Sequence, residues 1–263
     1  MVTIRVGEGN GSSVDIYTTH TVAGYKQPDE YVGHRFSNFV DYMEFVKERE
    51  ASELVILTGD MNNAPSATEV EYFFRHMQAI DTFNEIHSNI CTSSHYFDNK
   101  RLDYVLYKNS AGSRWKLEDS CMCFVNTSLE RERVDPTTEI FYSDHKGVFA
   151  EFILQGEPAD RSGETFLFPK PDMDLSGRSL NLLEGQIQAA IKRKTIHFAR
   201  FCFGLVSGTL LLCAPLSVSL RVVQIGMSSA LFLCSSLSLL YGLLYKQREI
   251  SVLKATKAKV RQL

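Results

Sequence analysis

The sequence predicts a mixed α/β domain followed by a pair of long apolar helices. Three observations predict it. Short apolar runs of strand character alternate with segments of helical periodicity through the first 155 residues, which is the signature of an α/β or α+β architecture. Two apolar runs, Phe201 to Leu220 and Val222 to Tyr245, are 20 and 24 residues long, enough to cross a hydrocarbon core of about 30 Å. Charge divides near the same place. Residues 1 to 191 carry 17 Lys and Arg against 30 Asp and Glu, a balance of −13, whereas residues 192 to 263 carry 11 against one, or +10.

Each element follows from its local pattern. Val14 to Thr19 is rich in β-branched and aromatic residues and predicts a strand. From Pro28 to Arg49, Val32, Phe36, Phe39, Val40, Met43 and Val46 recur at intervals of three and four and predict an amphipathic helix. Leu54 to Thr58 predicts a short, fully apolar strand. Pro65, Ser66 and Glu69 form a capping box for a helix ending near Ala79. Leu102 to Tyr107, Cys121 to Val125 and Gly147 to Leu154 predict further strands.

The expected organisation is a folded domain over residues 1–155, a polar linker with three prolines over 156–178, a juxtamembrane helix over 179–200, two spans over 201–245 and a basic tail over 246–263. A helix apolar on every face for so long is not expected in a soluble core. Lys192, Arg193, Lys194 and Arg200 precede the first run, and Lys246, Arg248, Lys254, Lys257, Lys259 and Arg261 follow the second. The positive-inside rule then places both flanks in the cytosol, with the chain turning between Pro215 and Arg221. Residues 1 to 20 lack the apolar core of a signal peptide, so the acidic part is expected to be cytosolic too. Cys91, Cys121 and Cys123 form no paired framework, which agrees with that compartment.

The strand Leu54 to Thr58 runs into Gly59, Asp60, Met61 and Asn62. A carboxylate with a carboxamide two places on suits a hard cation and a phosphate, and it equally suits an Asx-turn. Three further clusters favour chemistry: Tyr17-Thr18-Thr19-His20, Arg101-Leu102-Asp103-Tyr104-Val105-Leu106-Tyr107 and Ser143-Asp144-His145. Each puts a His or Asp at the edge of an expected strand. Isolated His34, His76, His87, His95 and His197 read as solvated or core histidines, and Arg101 as either a carboxylate partner or a structural residue beside the site.

The four clusters, in this order, resemble those of the endonuclease/exonuclease/phosphatase superfamily, whose fold is the DNase-I-like four-layer αββα sandwich. With two C-terminal apolar runs added, the chain resembles the membrane-bound neutral sphingomyelinases. The resemblance implies phospholipase-C-type hydrolysis of sphingomyelin to ceramide and phosphocholine at a bilayer. It makes His145 the general base, Asp103 its orienting partner, and Asp60 a residue near the metal or the nucleophilic water. Asn62 and His20 would serve the phosphate, and Asp144 would assist at the metal, with Mg²⁺ the cation for an oxygen-rich set. Nucleic acid is not an expected partner of a part at −13 without a basic stripe.

One departure stands out. The superfamily's strand-end Asn and principal Glu metal ligand lie well upstream of the Thr-His strand, whereas His20 lies 19 residues after Met1. The chain is therefore expected to represent the C-terminal half of a sandwich, to bind metal and turn over poorly, and to leave Ile16, Val55, Leu57 and Val105 uncovered. Two other functions keep the same motifs: a lysophospholipase C or phosphoinositide phosphatase of this fold, and a catalytically silent membrane protein acting through interaction. Tyr25, Tyr96, Phe97, Trp115 and Tyr142 are the aromatic candidates for a choline head group.

Overall fold

A computed structural model describes residues 2–6, 12–25, 28–87, 101–123, 143, 145–156, 172–215 and 217–263. The chain divides into two units, Met1–Ser179 and Leu180–Leu263.

The first unit is built on a sheet of five strands, β1 (Val2–Val6), β2 (Ser12–His20), β3 (Leu54–Asp60), β4 (Ile80–Asp81) and β5 (Asp103–Asn109), in the order β1-β2-β3-β5-β4. Only β2 and β3 pair in parallel. A parallel pair needs a crossover, which α1 (Val32–Lys47) supplies. Helices α2 (Thr68–Met77) and α3 (Thr82–His87) follow, and β6 (Trp115–Cys123) pairs with β7 (Gly147–Leu154) in a separate antiparallel ribbon.

Strand alternation assigns each face of the sheet. Val55, Leu57, Tyr104 and Leu106 are buried on the side of α1 and α2, where Phe74 meets Tyr104 edge-on at 5.1 Å. Across the helix pair, Phe39 stacks on Phe73 at 5.0 Å, and Val40, Met43 and Val46 complete the buried stripe predicted from periodicity. The opposite face carries Val14, Leu54 and Tyr107, which form one core with Ile80, Trp115 and Leu117, against which Ile16, Ile56 and Phe152 pack. Among the described residues the layers are therefore helix, sheet and sheet, an α/β arrangement that resembles the expected DNase-I-like sandwich.

Several expectations need correction. Val55 and Leu57 are covered by helices rather than left bare, and Ile16 lies against the ribbon's core. The capping box does not form: α2 starts at Thr68 with Ala67 as an N-cap that makes no side-chain bond, and Glu69 is drawn inward to Arg35. Strand β1, unread from sequence, adds an edge beside β2. Val125 lies outside the described residues.

Helix α4 (Met173–Cys213) crosses the boundary between the units, so it begins inside the stretch read as linker and merges the juxtamembrane helix with the first apolar run. In the second unit α5 (Val218–Tyr241) continues through a π turn at Gly242–Lys246 into α6 (Gln247–Gln262), so the basic tail is helical. Helix α4 ends at Cys213 and α5 begins at Val218, so the second helix starts earlier than expected and Arg221 lies within it. Two helices, Met173–Cys213 and Leu220–Gln262, are long and apolar enough to cross a membrane.

Small residues let α4 and α5 approach closely. A Cβ on Gly204 would stand 1.8 Å from Ser235 Oγ, and one on Gly208 would stand 2.9 Å from the Phe232 ring. At the reversal, buried Gln224 donates from Nε2 to the carbonyls of Leu211 (2.6 Å), Leu212 (3.2 Å) and Ala214 (2.8 Å), adding to the Ala214 N–H that also reaches Leu211 at 3.3 Å. Beyond the apolar portions, Arg193 pairs with Glu249 at 2.7 Å and Lys257 with Glu184 at 2.5 Å, fastening α6 to α4.

Candidate active site

The site is assembled at the ends of three adjacent strands. Gly59 lies at φ +141°, and a Cβ there would fall 1.8 Å from the Thr19 carbonyl oxygen, so only glycine lets β2 and β3 run together to their tips. Register then places His20 opposite Asp60, and Asp60 opposite Asp103. Directly paired residues share a face. Here it is the face that carries Val14, Leu54 and Tyr107, so all three groups project at the rim of the space between the two sheets.

The ribbon supplies the fourth group. His145 precedes β7 by two residues, and its backbone N–H donates to Ser143 Oγ at 3.0 Å. Its Nδ1 lies 2.8 Å from Asp103 Oδ2. A carboxylate accepting from Nδ1–H fixes the tautomer and leaves Nε2 as the basic nitrogen. Asp60, Asp103 and His145 each offer a ligand atom, all within 4.8 Å of one another, and all three residues are half-buried. His20 Nε2 stands 3.4 Å from Asp60 Oδ2, with its ring mostly exposed.

Asn62 makes the turn that could not be separated from a ligand site by sequence. It sits in the left-handed region at φ +51°, its N–H donates to Asp60 Oδ1 at 2.8 Å, and its Nδ2 lies 3.0 Å from Asp60 Oδ2 and 2.8 Å from the Thr21 carbonyl. The turn and the site are the same object. Burial raises the Asp60 carboxyl above its ordinary range; the Asn62 N–H pulls it down, Asp103 pushes it up, and His145 and His20 pull it down, leaving it raised. Two acids and an imidazole with ligand atoms this close together suit a divalent cation.

The structure thus brings His145, Asp103, Asp60, Asn62 and His20 together. Asp144 lies outside the described residues. Arg101 pairs with buried Asp81 at 2.5 Å and lies over the rings of Phe83 and Tyr104, which resolves its two readings toward a structural carboxylate partner beside the site. Trp115 is in the core and can present no face to a head group, whereas Tyr25 is 92% exposed; Tyr96, Phe97 and Tyr142 lie outside the described residues. Sequence reasoning overlooked Arg35. Its signal was a lone cation on the apolar stripe of α1, one turn before Phe39.

No family model matches the chain. It is 24% identical over 287 aligned positions to a Caenorhabditis elegans protein named "Putative neutral sphingomyelinase", covering 95% of this chain and 62% of the relative. Among solved structures it is similar to an endonuclease/exonuclease/phosphatase family protein from Bacteroides thetaiotaomicron, at 17% identity and a TM-score of 0.41, over 56% of this chain and 52% of that one. Beta toxin from Staphylococcus aureus gives 17% identity and a TM-score of 0.40, over 55% and 54%. The chain spans less than two thirds of the length of each.

Proposed function

We propose that this chain carries part of a phosphodiesterase site that hydrolyses sphingomyelin to ceramide and phosphocholine at a membrane. The observation that carries the reading is the Asp103–His145 pair facing Asp60 across the strand tips, on a chain with two helices able to cross a bilayer. The likeness to a named sphingomyelinase supports the choice of lipid.

Water is deprotonated at His145 Nε2, with Asp103 stabilising the imidazolium that results. The water oxygen forms a bond to phosphorus, the bond from phosphorus to the ceramide oxygen breaks, that oxygen takes a proton from solvent, and His145 returns the proton it accepted to solvent. Asp60 would hold Mg²⁺, with Asp144 assisting. The ion supplies neutralisation of the charge that develops on the phosphoryl oxygens. His20 donates to a phosphoryl oxygen or supports the leaving group. Asn62 keeps Asp60 aimed and lies beside the phosphate. Apolar helices α4 and α5 anchor the chain in the bilayer, with the site and the C-terminus in the cytosol.

The test is product analysis on mixed-lipid vesicles with the full chain and Mg²⁺. Phosphocholine and ceramide, formed slowly by a chain that carries part of the site, are the expected products, and His145→Ala is expected to lower that rate about 10²- to 10⁴-fold while leaving the melting temperature nearly unchanged. Cleavage of phosphoinositides alone overturns the lipid assignment. Full activity in His145→Ala overturns the mechanism.

A further inference from the structure

Building on the metal-and-phosphate reading above, we propose that Arg35 is the positioning residue of this site, holding the loop that follows His20 and the loop that carries Asn62 in fixed relation. Arg35 is fully buried in the first turn of α1. Its three nitrogens reach both ends of the loop after β2 and one residue of α2. Nη1 donates to the Val22 carbonyl at 3.0 Å, two residues beyond His20. Nη2 donates to Asp29 Oδ2 at 2.5 Å, near the far end of the same loop. Nε donates to Glu69 Oε1 at 2.9 Å in α2.

From Glu69 the connection runs to the next loop. The same Oε1 accepts from Asn63 Nδ2 at 2.9 Å, and Asn63 directly follows Asn62. The Asn63 carbonyl lies 3.1 Å from Tyr104 Oη, which lies 2.8 Å from the Arg101 carbonyl and belongs to the residue after Asp103. One guanidinium thus links the loops after β2 and β3, and through Tyr104 it reaches the start of β5. Gly24 shows how tightly the first loop is drawn in: a Cβ there would stand 2.5 Å from the Asp29 carboxylate.

The two loops must keep their spacing for the site to work. Asn62 holds Asp60 through its N–H and Nδ2, and the same Nδ2 lies 2.8 Å from the Thr21 carbonyl, so it ties the two loops together where it aims the carboxylate. Arg35 fixes Val22, the residue after Thr21, and through Glu69 it holds Asn63, the residue after Asn62. A planar fork with rigidly spaced donors can hold three acceptors at once, whereas a lysine ammonium on a flexible stem does not reproduce that geometry.

The experiment uses the full chain in lipid nanodiscs, with two variants. Arg35→Met/Asp29→Asn/Glu69→Gln removes all three charges of the buried cluster, so none is stranded. Asn63→Ala cuts the link to the site without changing charge. Hydrogen exchange is followed in residues 20–25 and 61–64, with residues 54–58 in the centre of β3 as reference, and Mn²⁺ alone is titrated by electron paramagnetic resonance. Both variants are expected to exchange about tenfold faster in the two loops with the reference unchanged, and to bind Mn²⁺ about 10- to 100-fold more weakly. Unchanged loop exchange, acceleration that includes the reference, or local acceleration with wild-type Mn²⁺ affinity each overturns the positioning role. If the wild-type chain binds no Mn²⁺, the metal reading of the site fails, and exchange alone then decides for Arg35: local acceleration supports the proposal and uniform or absent acceleration overturns it.

Discussion

Asp60 is pulled in two directions, and the sign of its response to pH follows. Burial and the neighbouring Asp103 raise its carboxyl, against the Asn62 N–H and the two histidines. A carboxyl raised by folding holds its proton to higher pH in the folded chain than in the unfolded one, so its ionisation opposes folding as pH rises through that range. Asp60→Asn is therefore expected to melt above the wild type at neutral pH, with the gap closing as pH falls below the carboxylate range. Added Mg²⁺ should raise the wild-type melting temperature by about 2–4 °C per kcal/mol of binding and leave Asp60→Asn unmoved. Calorimetry across pH, with and without the cation, checks both. At this scale the strand-tip residues were legible because each stands beside a short apolar run. Arg35 was not: its carboxylate partner in α2 lies 34 positions away, and only tertiary folding brings the two together.

Between β2 and β3, one glycine decides whether the element pair exists in the form the site needs. Alanine at position 59 combines a conformation L-residues avoid with a direct collision against the Thr19 carbonyl. Gly59→Ala is expected to cost about 3 kcal/mol or more, visible in denaturant unfolding, and to free the amides of residues 18–20 for exchange. In the hairpin, Gln224→Leu leaves three carbonyls at the end of α4 without their shared donor. The expected loss is about 1 kcal/mol in helix association, measured by detergent titration of the second unit in the full chain. Periodicity located α1 and α2 and composition located both apolar runs, because those signals are local. The position of the reversal was hidden, since Val218 and Leu220 continue the apolarity of the first run while already belonging to α5. Strand β1 was readable and passed over: Val2, Ile4 and Val6 alternate with Thr3 and Arg5.

Over the whole molecule, the two units are opposite in charge, and the division near residue 191 in the sequence falls within the helix that crosses from one to the other. The first unit owes its site to alignment more than to any single group. His20, Asp60 and Asp103 come from three strands and meet only because β2, β3 and β5 are paired without an offset. A shift of one position would turn each side chain to the opposite surface of the sheet. Such a mispaired chain would retain its spectroscopic content of strand and helix and yet possess no centre at all. Under the proposed function, specific activity would then report the share of correctly assembled molecules, since the faulty ones contribute nothing rather than a slower rate.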